Sequence, residues 1–276
     1  MLNRSVLLVI CFLIGFSGIA QVSDAELGPL ITDRPDATES PNVVPVGFLQ
    51  VETGMFYESY KDEAVKSKDF TLNTTLIRMG LIKNVELRLG WDFIEGRTEL
   101  NGNELDDISS GFSPLLAGVK IHIAEEKNGF PQIGLIGHVN LPFTAGKDYK
   151  PETTAADFRF AFSHTLSEST NLSYNIGAAW EGDNPEAAMI YTIAYGFGII
   201  NRLGGYVELY GDLPENSSAN HLWDAGFTYL VSDSFQLDAT VGTSLTEGQD
   251  ILLSAGASFR IPLKSNQVRR QEPSSR

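Results

Sequence analysis

Glu86 and Arg88 stand two residues apart, and Asp157 and Arg159 repeat the same spacing. On an extended chain residues i and i+2 share a face, so each pair presents an acid beside a base. Two roles suit that arrangement. The pairs can neutralise each other in a salt-bridged interior, or they can line a pore and select solutes by charge. Glu52, Arg78, Asp238 and Arg260 fall on the same polar face. A second charged cluster is Asp33-Arg34-Pro35-Asp36, followed by Glu39. Here a bidentate cation sits between carboxylates on a backbone stiffened by proline. Because this stretch ends only a few residues before the first strand, it must stay near one rim of whatever follows. It can enter a lumen as a small plug or lie outside as a stretched lead-in.

Catalytic patterns are missing. The chain has no Walker loop, dinucleotide fingerprint, HExxH or CxxC. Its histidines, His122, His138, His164 and His221, are scattered one to a strand. His138 and Asn140 share a face and read as a hydrogen-bonded pair, because no serine completes a hydrolase triad with them. No ligand spacing joins the histidines to carboxylates. The expectation is therefore no enzyme, no cofactor and no metal.

The elements that must position these charges have a period of two. Val85, Leu87, Leu89, Trp91 and Phe93 alternate with Glu86, Arg88, Gly90 and Asp92. Phe235, Leu237, Ala239 and Val241 alternate likewise with Gln236, Asp238, Thr240 and Gly242. Such runs predict about twelve strands, near 46–60, 69–81, 85–95, 108–123, 131–142, 154–166, 171–181, 188–200, 204–213, 221–232, 234–246 and 250–262. They are long enough to cross a bilayer when tilted. Tight turns such as Lys83-Asn84, Asn201-Arg202 and Ser232-Asp233 alternate with longer polar connections, notably Gly96–Asp107 and Phe143–Thr153. The pattern predicts an all-β, transmembrane, antiparallel up-and-down barrel with short periplasmic turns and longer extracellular loops. A soluble sandwich or lipocalin-like barrel is the competing fold. Aromatics near strand ends (Tyr57, Trp91, Trp180, Trp223) and charge along the polar face favour the membrane.

Composition narrows the class further. The 276 residues carry a net charge of −15, with pI near 4.6, which disfavours nucleic acid as a partner. A mean hydropathy of −0.06 excludes a bundle of membrane helices. Arg4, the apolar run to Ile19, and Gly18 and Ala20 before Gln21 read as a signal peptide over residues 1–20. The one cysteine, Cys11, lies inside it, so the exported chain uses no disulfide. Residues 21–45 form the lead-in or plug, 46–262 the barrel and 263–276 a polar tail.

The segment Leu30–Pro41, containing Thr32-Asp33-Arg34-Pro35-Asp36, together with Gly47-Phe48-Leu49-Gln50-Val51-Glu52, resembles the opening of a family of bacterial outer-membrane barrels. That family is named for a phenol-degradation (meta-cleavage) pathway, and its members are labelled transporters. Glu86–Trp91, Ala117–Lys120 and Leu141-Pro142 resemble it too, so the likeness spans about 28–262. It implies an outer-membrane location and passage of small hydrophobic or aromatic compounds. Ser254, Gly256, Phe259 and Ile261 resemble the strand-end signal read by the outer-membrane assembly machinery. The partners expected are thus outer-membrane lipid, that machinery and a small-molecule solute. By this register about ten inward acids face about five bases, so an open pore should prefer cations. The alternative is a closed structural or surface-binding barrel with no transport.

Overall fold

Apolar residues at every second position cannot make one stripe of a helix, but on a strand they all point to one side. In the computed structural model, which describes residues 27–246 and 248–263, they form thirteen antiparallel strands. The first five are β1 (Phe48–Asp62), β2 (Val65–Ile82), β3 (Val85–Leu100), β4 (Asn103–Phe112) and β5 (Leu115–Ala124). Then come β6 (Gln132–Leu141), β7 (Ala155–Ser167), β8 (Thr170–Trp180) and β9 (Ala187–Ile200). The last four are β10 (Leu203–Pro214), β11 (Asn220–Ser232), β12 (Phe235–Ser244) and β13 (Gln249–Pro262). The leader over 1–20 and the tail from Lys264 lie outside the described residues.

Twelve strands close a ring. β3 pairs with both β2 and β5, consecutive strands pair from β5 onward, and β13 returns to β1. Closure satisfies every ladder inside the wall, as a lipid environment demands. The remaining strand, β4, pairs only with the upper end of β3, from Phe93↔Phe112 to Leu100↔Asn103. Alternation predicts one strand over 108–123. The structure breaks it at Ser113-Pro114, where proline supplies no N–H to the ladder.

Two of the expected connections are also different. Gly96–Asp107 is not a loop but the tip of a β3–β4 hairpin, turned at Asn101-Gly102, both with positive φ. The β1–β2 connection is likewise a tight turn at Glu63-Ala64. These hairpins project beyond the ring, and most β4 side chains are exposed. With neither face covered, apolar alternation disappears although the backbone stays extended. Phe143–Thr153 is a loop with short 3-10 turns at Pro142–Thr144 and Lys147–Tyr149. It is tied to β4 by the Gly146 N–H on the Phe112 carbonyl at 2.8 Å.

The burial pattern is the reverse of a soluble core. Arg78, Glu86 and Lys120 are 0% exposed, whereas Leu89, Ile176 and Phe227 are 44%, 50% and 59% exposed. A sandwich or lipocalin would bury the second set and show the first to water. The greasy face therefore points out to lipid and the charged face into the lumen.

Candidate functional site

The segment before β1 fills the middle of the ring. At one rim the Leu30 N–H donates to the Asp233 carbonyl at 2.8 Å, and Val46 bridges Gly80 on the way into β1. Between these points residues 31–45 run through the lumen as an arch. Wall glycines make room for it. A Cβ on Gly80 would collide with the carbonyls of Val44 and Pro45, and one on Gly134 would lie 2.8 Å from Pro41 Cα.

Asp33 is the main anchor on the β1–β5 side. Its carboxylate receives Lys120 Nζ at 2.7 and 2.8 Å and Arg88 Nη1 at 2.6 Å, with Arg78 Nη1 at 3.2 Å. Arg78 also holds Glu86 and Glu52, each at 2.8 Å, and donates to the Asn42 carbonyl at 3.0 Å. In turn Glu52 Oε2 accepts the Asp33 N–H at 3.0 Å, and Glu86 Oε2 accepts the Val44 N–H at 2.7 Å. Burial works against the Asp33 carboxylate, but Arg78, Lys120 and Arg88 outweigh it and hold its carboxyl well below the usual range. Glu39 is half-buried; desolvation works against its charge, but Arg88, 2.8 Å away, outweighs it and draws the carboxyl below the ordinary value. The network then continues along the wall. Arg88 Nε donates to His138 Nε2 at 2.9 Å, which leaves His138 Nδ1 to donate to Asp157 at 3.2 Å. Asp157 also pairs with Arg159 at 3.2 Å.

Arg34 turns the other way around the ring, toward β1, β13 and β12. Its guanidinium bonds Asp238 Oδ1 at 2.8 Å and Ser254 Oγ at 3.0 Å, and sits 5.2 Å from the centre of the Phe56 ring. Gly54 and Gly256 are directly paired across β1 and β13, and the guanidinium occupies the space their missing side chains leave. Beyond it the arch meets β8–β10. Glu208 accepts from the Ala37 N–H at 2.7 Å and from the Thr38 hydroxyl, while Asn175 brackets Glu39 through both its backbone N–H and carbonyl.

Several expected contacts are replaced. Acid and base at i and i+2 do pair within β3 and β7, but the stronger ties of Arg88 run to the arch. His138 does not pair with Asn140; Arg88 and Asp157 claim both its ring nitrogens. Arg260 stands at the rim, donating to the Gly28 carbonyl at 2.8 Å, away from the central network. Asp36 forms no ion pair among the described residues. Lys120, His138, Glu208 and Asp224 join the site although the sequence did not single them out as site residues. Their signal was parity alone, since each falls on an inward register position. Among the described residues no group of His, Cys, Asp and Glu could hold a metal ion.

Two vestibules flank the arch. One, of about 790 Å³, opens beside the tight turns and is lined by Leu30, Pro35, Asp36, Phe197 and Tyr206. The other, of about 570 Å³, lies on the hairpin side and is lined by Glu39, Arg88, Trp91, Asp92, His138 and Tyr149. The arch contributes to both, Asp36 and Thr38 to the first and Glu39 to the second.

Residues 32–261 match the family described as "Putative MetA-pathway of phenol degradation". The chain belongs to that family. Among solved structures it is similar to an outer membrane channel from Pseudomonas putida F1, at 12% identity and a TM-score of 0.59, over 79% of this chain and 97% of the other. It is also similar to the β domain of the Bordetella autotransporter BrkA (11% identity, TM-score 0.49, 79% and 99% covered). A third similar structure is the toluene transporter TbuX of Ralstonia pickettii (6% identity, TM-score 0.44, 80% and 90% covered). No curated protein matches the chain. At 12% identity the likeness to the Pseudomonas putida channel shows the fold alone, a closed antiparallel β-barrel.

Proposed function

We propose that this protein is a passive outer-membrane channel for small molecules, gated by the arch of residues 31–45. The observation that carries this reading is a pair of vestibules that share the arch as a lining, Asp36 and Thr38 in one and Glu39 in the other. A barrel built only as a scaffold has no need of two cavities lined by the same internal segment. The solute class in this reading is small and aromatic or hydrophobic. The family description and the apolar lining from Leu30, Pro35, Phe197 and Tyr206 support it. Export by cleavage before Gln21 and assembly through Ser254, Gly256, Phe259 and Ile261 belong to the same reading. Of these four, Ser254 is buried on the inner face beside Arg34.

The competing reading is a closed barrel, favoured by the salt-bridged arch that crosses the lumen without a break. Planar-bilayer recordings decide between them. A channel gives discrete current steps that grow when residues 28–40 are deleted. A silent native protein whose deletion variant is also silent, while still folded by heat-modifiable migration, means a closed barrel.

A further inference from the structure

The arch is held by opposite electrostatic logic on its two sides. On the β1–β5 side Asp33 and Glu39 meet Arg78, Arg88 and Lys120. On the β10–β11 side Glu208 and Asp224 stand directly opposite each other in register, 4% and 3% exposed, and Asp36 approaches both from the arch. No ion pair with a described cation reaches any of these three carboxyls. The guanidinium nearest in sequence, Arg34, is committed to Asp238 on β12. The other groups turned toward the cluster are uncharged or acidic. They are Tyr206 and Tyr210 on β10, Thr192 on β9, Asn175 on β8, Thr240 on β12 and, through Tyr210, Glu58 and Tyr60 on β1. Asp33 lies beyond them within the arch.

Carboxylates packed together without a cation resist ionising together, and with Glu208 and Asp224 buried and Asp36 half-buried beside them the cluster retains protons. Donors show how many charges it can bear. Glu208 has the Ala37 N–H and the Thr38 hydroxyl, so one negative charge is accommodated there. Asp224 faces Glu208 closely enough for the two carboxyls to share a proton, and its Oδ1 is buried with no donor. Burial, then Glu208, push the Asp36 carboxyl well above its usual range. Of the three residues only Asp36 belongs to the arch rather than the hydrogen-bonded wall. Further ionisation therefore drives Asp36 away and takes residues 36–38 with it, while Glu39 stays on Arg88 and Asn175.

We propose that Asp36, Glu208 and Asp224 form a proton-held latch that keeps the 36–38 limb against β10 at low pH and releases it as pH rises. The latch deepens the channel reading by assigning its gate, and rests on that reading for its physiological meaning. Docking is the state that binds more protons, so raising pH must weaken it. The Asp33 and Glu39 anchors, carrying cations, stay closed over the same interval. Release thus swings one limb and does not expel the arch.

The test uses an Ala37→Cys reporter in full-length protein carrying Cys11→Ala, with Leu105→Cys on the exposed β4 as the reference. A membrane-impermeant methanethiosulfonate is applied at pH 5.5 and pH 8.5. Taking the ratio of the two labelling rates removes the thiol's own pH dependence. The expected result is about a tenfold rise in that ratio with the native triad, and a flat ratio in the Glu208→Gln/Asp224→Asn double variant. Should the double variant not fold, judged by heat-modifiable migration, Asp36→Asn alone must flatten the ratio. A ratio independent of pH in the native protein overturns the latch, as does an undiminished rise in the variants. Bilayer current is recorded in parallel. Labelling that rises with no current at either pH supports the latch and counts against the channel.

Discussion

Arg88 Nη1 lies 2.6 Å from Asp33 Oδ2, joining the inner wall of the barrel to the arch that crosses it. Both groups are buried, and each has further partners: Arg88 reaches Glu39, Glu86 and His138, and Asp33 reaches Lys120 and Arg78. Removing one member leaves charges of the other sign in a desolvated site, and that cost exceeds the value of any one bond.

Asp33→Asn should therefore act on stability and gating together. Losing the carboxylate leaves Arg78, Arg88 and Lys120 facing only Glu39, Glu52 and Glu86. We expect a loss of about 3–5 kcal/mol in urea unfolding from detergent micelles, together with faster proteolysis of the arch. Unchanged stability and proteolysis would show that the arch is held elsewhere.

Deleting residues 28–40 removes Asp33, Asp36 and Glu39 as well as Arg34. Around the former Asp33 site three cations, Arg78, Arg88 and Lys120, then face two carboxylates, Glu52 and Glu86. Conductance should rise, and the reversal potential in a salt gradient should move toward anions relative to native protein. A larger current with no such shift would place the selective ring away from Asp33.

Gly256→Val tests the seat of Arg34. A side chain on Gly256 would occupy space now taken by the guanidinium, and Gly54 opposite it is in the same position. Expelling Arg34 breaks its 2.8 Å pair with Asp238 and leaves that carboxylate buried and alone. The expected outcome is greater open probability in bilayers with the barrel still folded. An Asp238→Asn change added to Gly256→Val should then restore part of the lost stability, and failure of that rescue would argue against the pairing.

The outward row answers to lipid. Leu89→Arg should destabilise by about 2–4 kcal/mol if it lies near the bilayer midplane, read from the temperature at which heat-modifiable migration is lost. Cysteine at 89 should react with a lipid-phase probe and cysteine at 88 should not. The opposite labelling would invert the assignment of the two faces.

Acid should leave the Asp33 anchor in place. A carboxyl held far below its ordinary value contributes its stabilisation in full above the unfolded value, near 4, and loses it only as pH falls toward the folded value. Protease access to residues 31–34 should stay flat between pH 7 and pH 4 and rise only at more acidic pH. A rise already at pH 5 would mean that the three cations do not control this carboxyl.

Period-two alternation alone determined the strands, the barrel and the side on which Leu89 or Arg88 falls. The reason is local: successive side chains on a strand point to opposite faces, and a barrel in lipid allows only one inside-out arrangement. The same rule failed at Gly96–Asp107, where both faces meet water and the sequence loses its alternation while the backbone keeps its ladder. It also missed the break at Ser113-Pro114, because an inward-outward count does not register a missing N–H. Which charges meet across the lumen was decided only by the tertiary structure. Arg34 was free in sequence terms to meet Glu52 or Glu86, but the Gly54–Gly256 slot between β1 and β13 directs it to Asp238 on the neighbouring β12. Glu208 and Asp224, sixteen residues apart in the chain, become a facing acidic pair only through the β10–β11 register. Parity gives each side chain a face; the closed ring and the path of the arch give it a partner.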